Sequence, residues 1–327
     1  MQSKSFSIGI DIGGTNTAYG IVNRRGEIQE QDRFHTTDYN TPEKFVAALY
    51  AKLAPHIAQL DQEAINGIGV GAPNANYYTG EVRLAPNLPW RGVIPLRHLL
   101  EEAFGLPVTI TNDANATAIG EMTYGSARGM RDFLVVTLGT GVGSGFVANG
   151  QLIYGHDGFA GELGHIIAVR DGRPCGCGRN GCLETYASAT GIVKTAKAYL
   201  EQADQDQVQI EGPGTEDWLI PVWRNTGEVS SSGIHKAALA GDPAAAEIFE
   251  FTGKILGQAL ADAVAITSPE AIILFGGLAK AGDFILKPTK LHMEKNMLAV
   301  FQNKIDIVPS GLSERDAAIL GAAALAW

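Results

Sequence analysis

The sequence predicts an α/β fold of two similar domains, and three observations carry that prediction. Strand-length apolar runs alternate with longer helical patterns through both halves of the chain. A strand that stops at a glycine turn and continues into further strands occurs twice, around Gly13-Gly14-Thr15 and again around Gly139-Thr140-Gly141, which reads as an internal duplication. At 327 residues the chain also exceeds the size at which one core keeps growing.

Taken in order, Phe6–Ile12 reads as a strand, residues 18–22 as a second, and residues 27–34 as a third after the turn Asn23-Arg24-Arg25-Gly26. No helix follows the first glycines, which argues against a Rossmann or Walker-type phosphate loop. Thr41-Pro42-Glu43 starts a helix with a cap residue and a proline in its first turn, and Phe45, Leu49, Leu53, Ile57 and Leu60 give it an apolar face. Pro55 is expected to kink that helix or end it early. Ile65–Gly71 is a buried-type strand, residues 95–104 a helix ending at Gly105, and residues 107–111 a strand that delivers Asn112-Asp113 to a helix over residues 114–124. An acid at the carboxyl end of a strand, beside a helix amino terminus, is well placed for chemistry.

Phe133–Leu138 opens the second copy, and residues 146–154 continue it as strands around the hairpin pair Asn149-Gly150. Beyond Glu184 the chain reads as mostly helical, with an acidic surface insertion over residues 201–217 and a long helix over Pro243–Thr267. Ala271–Phe275 is a buried strand ending in Gly276-Gly277. A helix, a strand at residues 304–308 and a terminal helix from Ser313 complete the chain.

Composition excludes several classes of function. The 25 basic and 35 acidic residues give a net charge of −10, with the basic ones scattered, so nucleic acid is not an expected partner. The apolar stretch over residues 255–279 is interrupted by Asp262, Pro269 and Glu270, and the amino terminus lacks a signal-type apolar region. No membrane association and a cytoplasmic location are expected. The 40 glycines cluster beside apolar runs, as they do where backbone approaches a ligand.

All three cysteines lie in residues 161–184, GELGHIIAVRDGRPCGCGRNGCLE. His165, Cys175, Cys177 and Cys182 together could supply the four N/S ligands of a closed, structural tetrahedral Zn²⁺ site. The spacing by itself also admits a reactive thiol pair or three unrelated free cysteines. An odd cysteine count argues against a disulfide framework. Glu162 and Glu184 bracket the loop, where they would be held in place to hydrogen-bond hydroxyl groups.

Asp11-Ile12-Gly13-Gly14-Thr15, Asn112-Asp113, Leu138-Gly139-Thr140-Gly141 and Phe275-Gly276-Gly277 together resemble the phosphate, connecting and adenosine segments of the actin, hexokinase and chaperone ATPase superfamily. Each alone would pass for an ordinary hairpin or turn. That resemblance implies two ribonuclease-H-like (actin-like ATPase) domains around a central cleft. The first would cover residues 1–112 plus 313–327 and the second residues 113–312, with ATP held by the glycine turns and Mg²⁺ by Asp11, through water.

Glu162-Leu163-Gly164-His165, followed by Cys175-Gly176-Cys177-Gly178-Arg179-Asn180-Gly181-Cys182-Leu183-Glu184, resembles the signature of the ROK family of sugar kinases and sugar-responsive repressors. The resemblance implies Asp113 as catalytic base and Asn87, Asn112, Glu162, His165 and Glu184 as sugar contacts. It further implies a homodimer and ATP-dependent phosphorylation of a hexose, glucose at its 6-hydroxyl. An N-acetylglucosamine or N-acetylmannosamine kinase would use the same motifs. A sugar-sensing repressor would place a DNA-binding domain ahead of the first glycine motif, where Asp11 leaves little room.

Overall fold

The computed structural model describes residues 5–60, 64–85, 87–209 and 214–327. The architecture is α/β, as predicted. β1 (Phe6–Ile12), β2 (Asn16–Asn23) and β3 (Ile28–His35) form an antiparallel meander. Then come α1 (Pro42–Ile57), β4 (Ile65–Gly71), the short pair β5 (Val82–Arg83) and β6 (Val93–Ile94), α2 (Leu96–Phe104), β7 (Val108–Thr111) and α3 (Asp113–Thr123). β4 joins β1 in parallel and β7 joins β4, giving the order β3-β2-β1-β4-β7.

The second copy runs β8 (Phe133–Leu138), β9 (Val142–Ala148), β10 (Gln151–Leu152), α4 (Glu184–Ala187), α5 (Ala189–Gln205), α6 (Leu219–Thr226), α7 (Ser231–Leu239), α8 (Pro243–Thr267), β11 (Ala271–Phe275), α9 (Asp283–Asn296), β12 (Asp306–Pro309) and α10 (Glu314–Ala324). Its sheet has the order β10-β9-β8-β11-β12. Counted within each copy, both sheets read third, second, first, fourth, fifth. The duplication seen in the glycine turns is therefore a duplication of topology. Of the acidic insertion over residues 201–217, the first five residues are the end of α5, and residues 210–213 lie outside the described residues.

The chain groups by contact into two compact units. One comprises Met1–Val135, Gly145–Gly161 and Ser310–Trp327, and the other Val136–Ser144 and Glu162–Pro309. In the first, the central strands bury Ile8, Ile10, Ile68, Val70 and Ile110, while the edge strand β3 is charged and exposed, which discourages pairing with another chain. Thr41 caps α1 by accepting from the Lys44 N–H at 3.3 Å. α1 continues two residues past Pro55 to Ile57, so the expected early ending does not occur. The proline sits in the last turn, where its missing N–H costs one bond and the Ala58 N–H still reaches the Ala54 carbonyl at 2.9 Å.

α10 seats on β1 and β4 through glycines. A side chain at Gly9 would collide with the Ile319 carbonyl and one at Gly69 with the Ala322 carbonyl, while Gly120 on α3 faces Gly321 on α10. Glu121, fully buried on α3, ties the same region together by accepting from the Ser126 N–H at 2.7 Å, the Gly311 N–H at 3.3 Å and the Ser310 hydroxyl. Within the second unit, α8 and α9 repeat the device, with Gly253 against Pro288 and Gly257 against Thr289. Among the described residues, no helix is long and apolar enough to cross a membrane.

These contacts make Gly69 a sensitive probe of the α10 seat. Gly69→Ala should lower stability by about 3 kcal/mol or more, beyond the usual range of overpacking because the obstacle is backbone. Chemical denaturation compared with Gly92→Ala, where an added Cβ meets nothing within 4 Å although φ is +86°, separates packing from backbone strain. Equal losses in the two variants would contradict the seat.

Candidate active site

In the first unit, the strand register builds one half of the chemistry. Asp11 on β1 lies opposite Gly71 on β4, and Gly71 lies opposite Thr111 on β7, so three parallel strand ends form a row. Two residues beyond Thr111 comes Asp113, the first residue of α3. Gly71 lies beside both acids: a Cβ there would stand 3.4 Å from Asp11 Oδ1 and 3.7 Å from Asp113 Cα. The helix is capped by Asn112, whose side-chain oxygen accepts from the Asn115 N–H at 2.7 Å. Its amide nitrogen is the group it can offer a hydroxyl.

Asp113 is thus at the first helical position, not the cap. Its Oδ1 accepts from the Ala114 N–H at 2.8 Å. Asp113 is exposed by surface area, yet protein atoms around the carboxylate partly desolvate it and raise its pKa, offset in part by the N–H groups of Ala114 and of Asp113 itself. Burial, then the negative charge of Asp113, pushes Asp11 from 3.8 up to about 7. Two crowded carboxylates form a donor set suited to a hard divalent cation.

The first glycine turn closes on itself, with the Gly13 N–H donating to the Asn16 carbonyl at 2.9 Å. Thr36, which the sequence reading missed, pins it: its hydroxyl donates to the Gly13 carbonyl at 2.8 Å and its N–H to the Thr15 carbonyl at 2.8 Å. A side chain on Gly14 would meet the Asn87 carbonyl at 2.5 Å. Asn87 itself is exposed.

The second unit holds the other predicted residues. The Gly139 N–H donates to the Gly141 carbonyl at 3.1 Å, and the start of α5 grips the turn, with Ala189 N–H on the Gly139 carbonyl at 2.8 Å and the Thr190 hydroxyl on the Thr140 carbonyl at 2.7 Å. Gly276 has φ +103° and abuts Leu138, so only glycine fits. Gly139 and Gly277 face open space within 4 Å.

His165, Cys175, Cys177 and Cys182 present ligand atoms all within 4.8 Å of one another. Cys177 Sγ lies 3.6 Å from Cys182 Sγ, and Cys175 Sγ lies 3.8 Å from His165 Nδ1. Donors around a tetrahedral zinc stand about 3.4–3.8 Å apart, so the cluster fits. The loop that gathers them turns through Gly178 at φ +88° and Gly181 at φ +82°. The Arg179 backbone N–H lowers the Cys177 thiol to about 6, whereas burial, with the Glu184 carboxylate adding, pushes Cys175 up to about 12 and burial also raises Cys182. A bound cation would displace the two retained protons.

Glu184 Oε1 stands 2.9 Å from Cys175 Sγ and 3.7 Å from His165 Nδ1, while Nε2 of the same imidazole is 3.9 Å from Glu162 Oε2. One histidine therefore spans the thiol cluster and an exposed carboxylate. Arg173 braces the helix that carries Glu184, donating to the carbonyls of Thr185 at 2.9 Å and Gly191 at 3.1 Å and stacking over Tyr186. Ser144 accepts from the Leu163 N–H at 3.1 Å and so fixes the chain beside Glu162. Neither was foreseen. Arg173 abuts the cysteine motif, which was a signal; Ser144 gave none beyond its place after the glycine turn.

The raised Asp11 has a consequence for stability. Its proton is held more tightly folded than unfolded, so the stabilisation is complete below pH ~4 and is lost as pH rises to about 7. In metal-free protein, Asp11→Asn should therefore gain melting temperature relative to wild type between pH 4 and 7. Parallel melting curves across that window would contradict the crowding.

Comparison with known proteins agrees with this geometry. The family model described as ROK family matches residues 7–327. A glucokinase of Halalkalibacterium halodurans is 36% identical over 299 residues, covering 90% of this chain and 86% of the relative. A glucokinase of Streptomyces coelicolor is 35% identical, covering 98% and 97%. The crystal structure of a ROK family glucokinase from Streptomyces griseus in complex with glucose and AMPPNP superposes with a TM-score of 0.77 at 33% identity, covering 98% of both chains.

Proposed function

We propose, from the premise that the chain belongs to the ROK family, that it is an ATP-dependent hexose kinase that phosphorylates the 6-hydroxyl of glucose. The observation that carries this reading is the end-to-end likeness to a glucokinase whose structure contains glucose and an ATP analogue. Asp113 serves as general base, drawing the proton from the sugar hydroxyl as that oxygen attacks the γ-phosphate. The desolvation that raises its pKa supports the role, since it brings a carboxylate closer to the basicity general-base catalysis favours. Asn87, Asn112, Glu162, His165 and Glu184 accept or donate hydrogen bonds to the sugar. The glycine turns and Gly276-Gly277 hold the nucleotide through backbone N–H groups.

Asp11 would hold Mg²⁺ through water, which neutralises phosphate charge when bound. His165 through Nδ1 and the three cysteines would hold Zn²⁺, which when bound orders the loop between Glu162 and Glu184. Cytoplasmic residence belongs to the same reading, because three unpaired thiols suit a reducing compartment. So does a homodimer, which the family resemblance implies.

A coupled ADP-release assay over glucose, mannose, fructose, N-acetylglucosamine and N-acetylmannosamine, with ATP and Mg²⁺, tests the reading. Turnover should be fastest with glucose. ADP release that no sugar stimulates would overturn it, and preference for an N-acetylhexosamine would reassign the substrate. Asp113→Asn should lower kcat by about 10²- to 10⁴-fold with sugar affinity largely kept, the separation expected of a base rather than a contact. Metal analysis should find about one zinc per chain, and Cys177→Ser should lower that content together with glucose affinity. Protein purified without chelators and free of zinc would contradict the metal assignment.

A further inference from the structure

Two glycines of the phosphate-type turns are placed for something other than phosphate. Gly14 and Gly141 both lie outside the positive-φ region, so neither backbone demands glycine. Their neighbours differ from those of Gly139 and Gly277, at which an added Cβ would meet no atom within 4 Å. Open space of that kind is what a phosphate needs. At Gly141, a Cβ would stand 2.6 Å from Glu184 Oε2, and the Glu184 carboxylate is its sole neighbour within 4 Å among the described residues. At Gly14, a Cβ would meet the Asn87 carbonyl oxygen at 2.5 Å and the Asn87 Cβ at 3.0 Å.

We propose that Gly14 and Gly141 are positioning residues for the sugar, each leaving the space in which a sugar-contact residue, Asn87 or Glu184, takes its place. The proposal rests on the hexose kinase reading and adds that each copy of the duplicated turn is shared between two substrates. The Glu184 carboxylate has little freedom to step aside. Its helix is clamped by Arg173, which donates to the carbonyls of Thr185 and Gly191. A methyl group at position 141 therefore displaces the carboxylate. A methyl group at position 14 moves backbone, so Asn87 shifts as a whole. In both cases the backbone N–H groups of the turn are left intact.

Calorimetric titration with glucose alone and with AMPPNP and Mg²⁺ alone separates the two roles, with thermal melts confirming that each variant is folded. Gly141→Ala should weaken glucose binding by about tenfold or more, the loss expected when a hydrogen bond to a charged group is removed. Its AMPPNP affinity should stay within about twofold of wild type. Gly139→Ala should do the reverse. Glu184→Asp withdraws the carboxylate from the added methyl, so in that background Gly141→Ala should change glucose affinity by less than about twofold. Gly14→Ala should follow the glucose-selective pattern, which keeps the proposal testable if one variant misfolds. Glucose affinity unchanged in folded Gly141→Ala, or a loss confined to AMPPNP, overturns the proposal while leaving the kinase reading intact. Wild-type protein that binds no hexose overturns both.

Discussion

The carboxylate of Glu184 is the junction on which the second unit depends. One oxygen faces the thiol of Cys175 and the imidazole of His165, and the other occupies the place where a side chain on Gly141 would lie. The thiol cluster, the His165 imidazole and the second glycine turn thus meet at a single functional group. Its helix begins directly after Cys182, is braced by Arg173 and leads into α5, whose first residues hold the turn by two further bonds. Such a connected set is either fully satisfied or badly perturbed, since a polar network in a partly buried site loses several partners when one is removed.

The first unit works under a different constraint, like charge in a crowded place. Asp11 and Asp113 reach adjacent strand ends because parallel pairing aligns β1, β4 and β7. Burying two carboxylates close together is unfavourable unless one is neutralised, by a proton or by a cation. Around that pair, Glu121, Thr36 and the glycine seat of α10 tie the surrounding structure together.

Local signals made most of the fold legible. Thr41 and Ser313 announced helix starts, Gly105 a helix end, and the strands of both meanders followed from apolar runs broken by glycine. The Cys/His cluster was legible because all three cysteines fall in one short loop with a histidine ahead of them. What the sequence hid was long-range. Thr36 reaches back across 23 residues to the first turn, Glu121 meets Ser310 across 189, and nothing local marks either. The glycines were legible as glycines but not by role: the sequence treats Gly139 and Gly141 alike, whereas one faces open space and the other a carboxylate. Pro55 shows the opposite error, a strong local signal that a position in the last helical turn makes nearly harmless.

The proposed reaction is transfer of a phosphoryl group from ATP to the primary hydroxyl of a hexose. The most direct measurement is ³¹P and ¹³C NMR of the reaction of wild-type protein with ATP, Mg²⁺ and glucose labelled with ¹³C at carbon 6. A new phosphomonoester resonance coupled to the labelled carbon should grow as the γ-phosphate signal falls. Inorganic phosphate as the sole product, or an ester on any other oxygen, would contradict it.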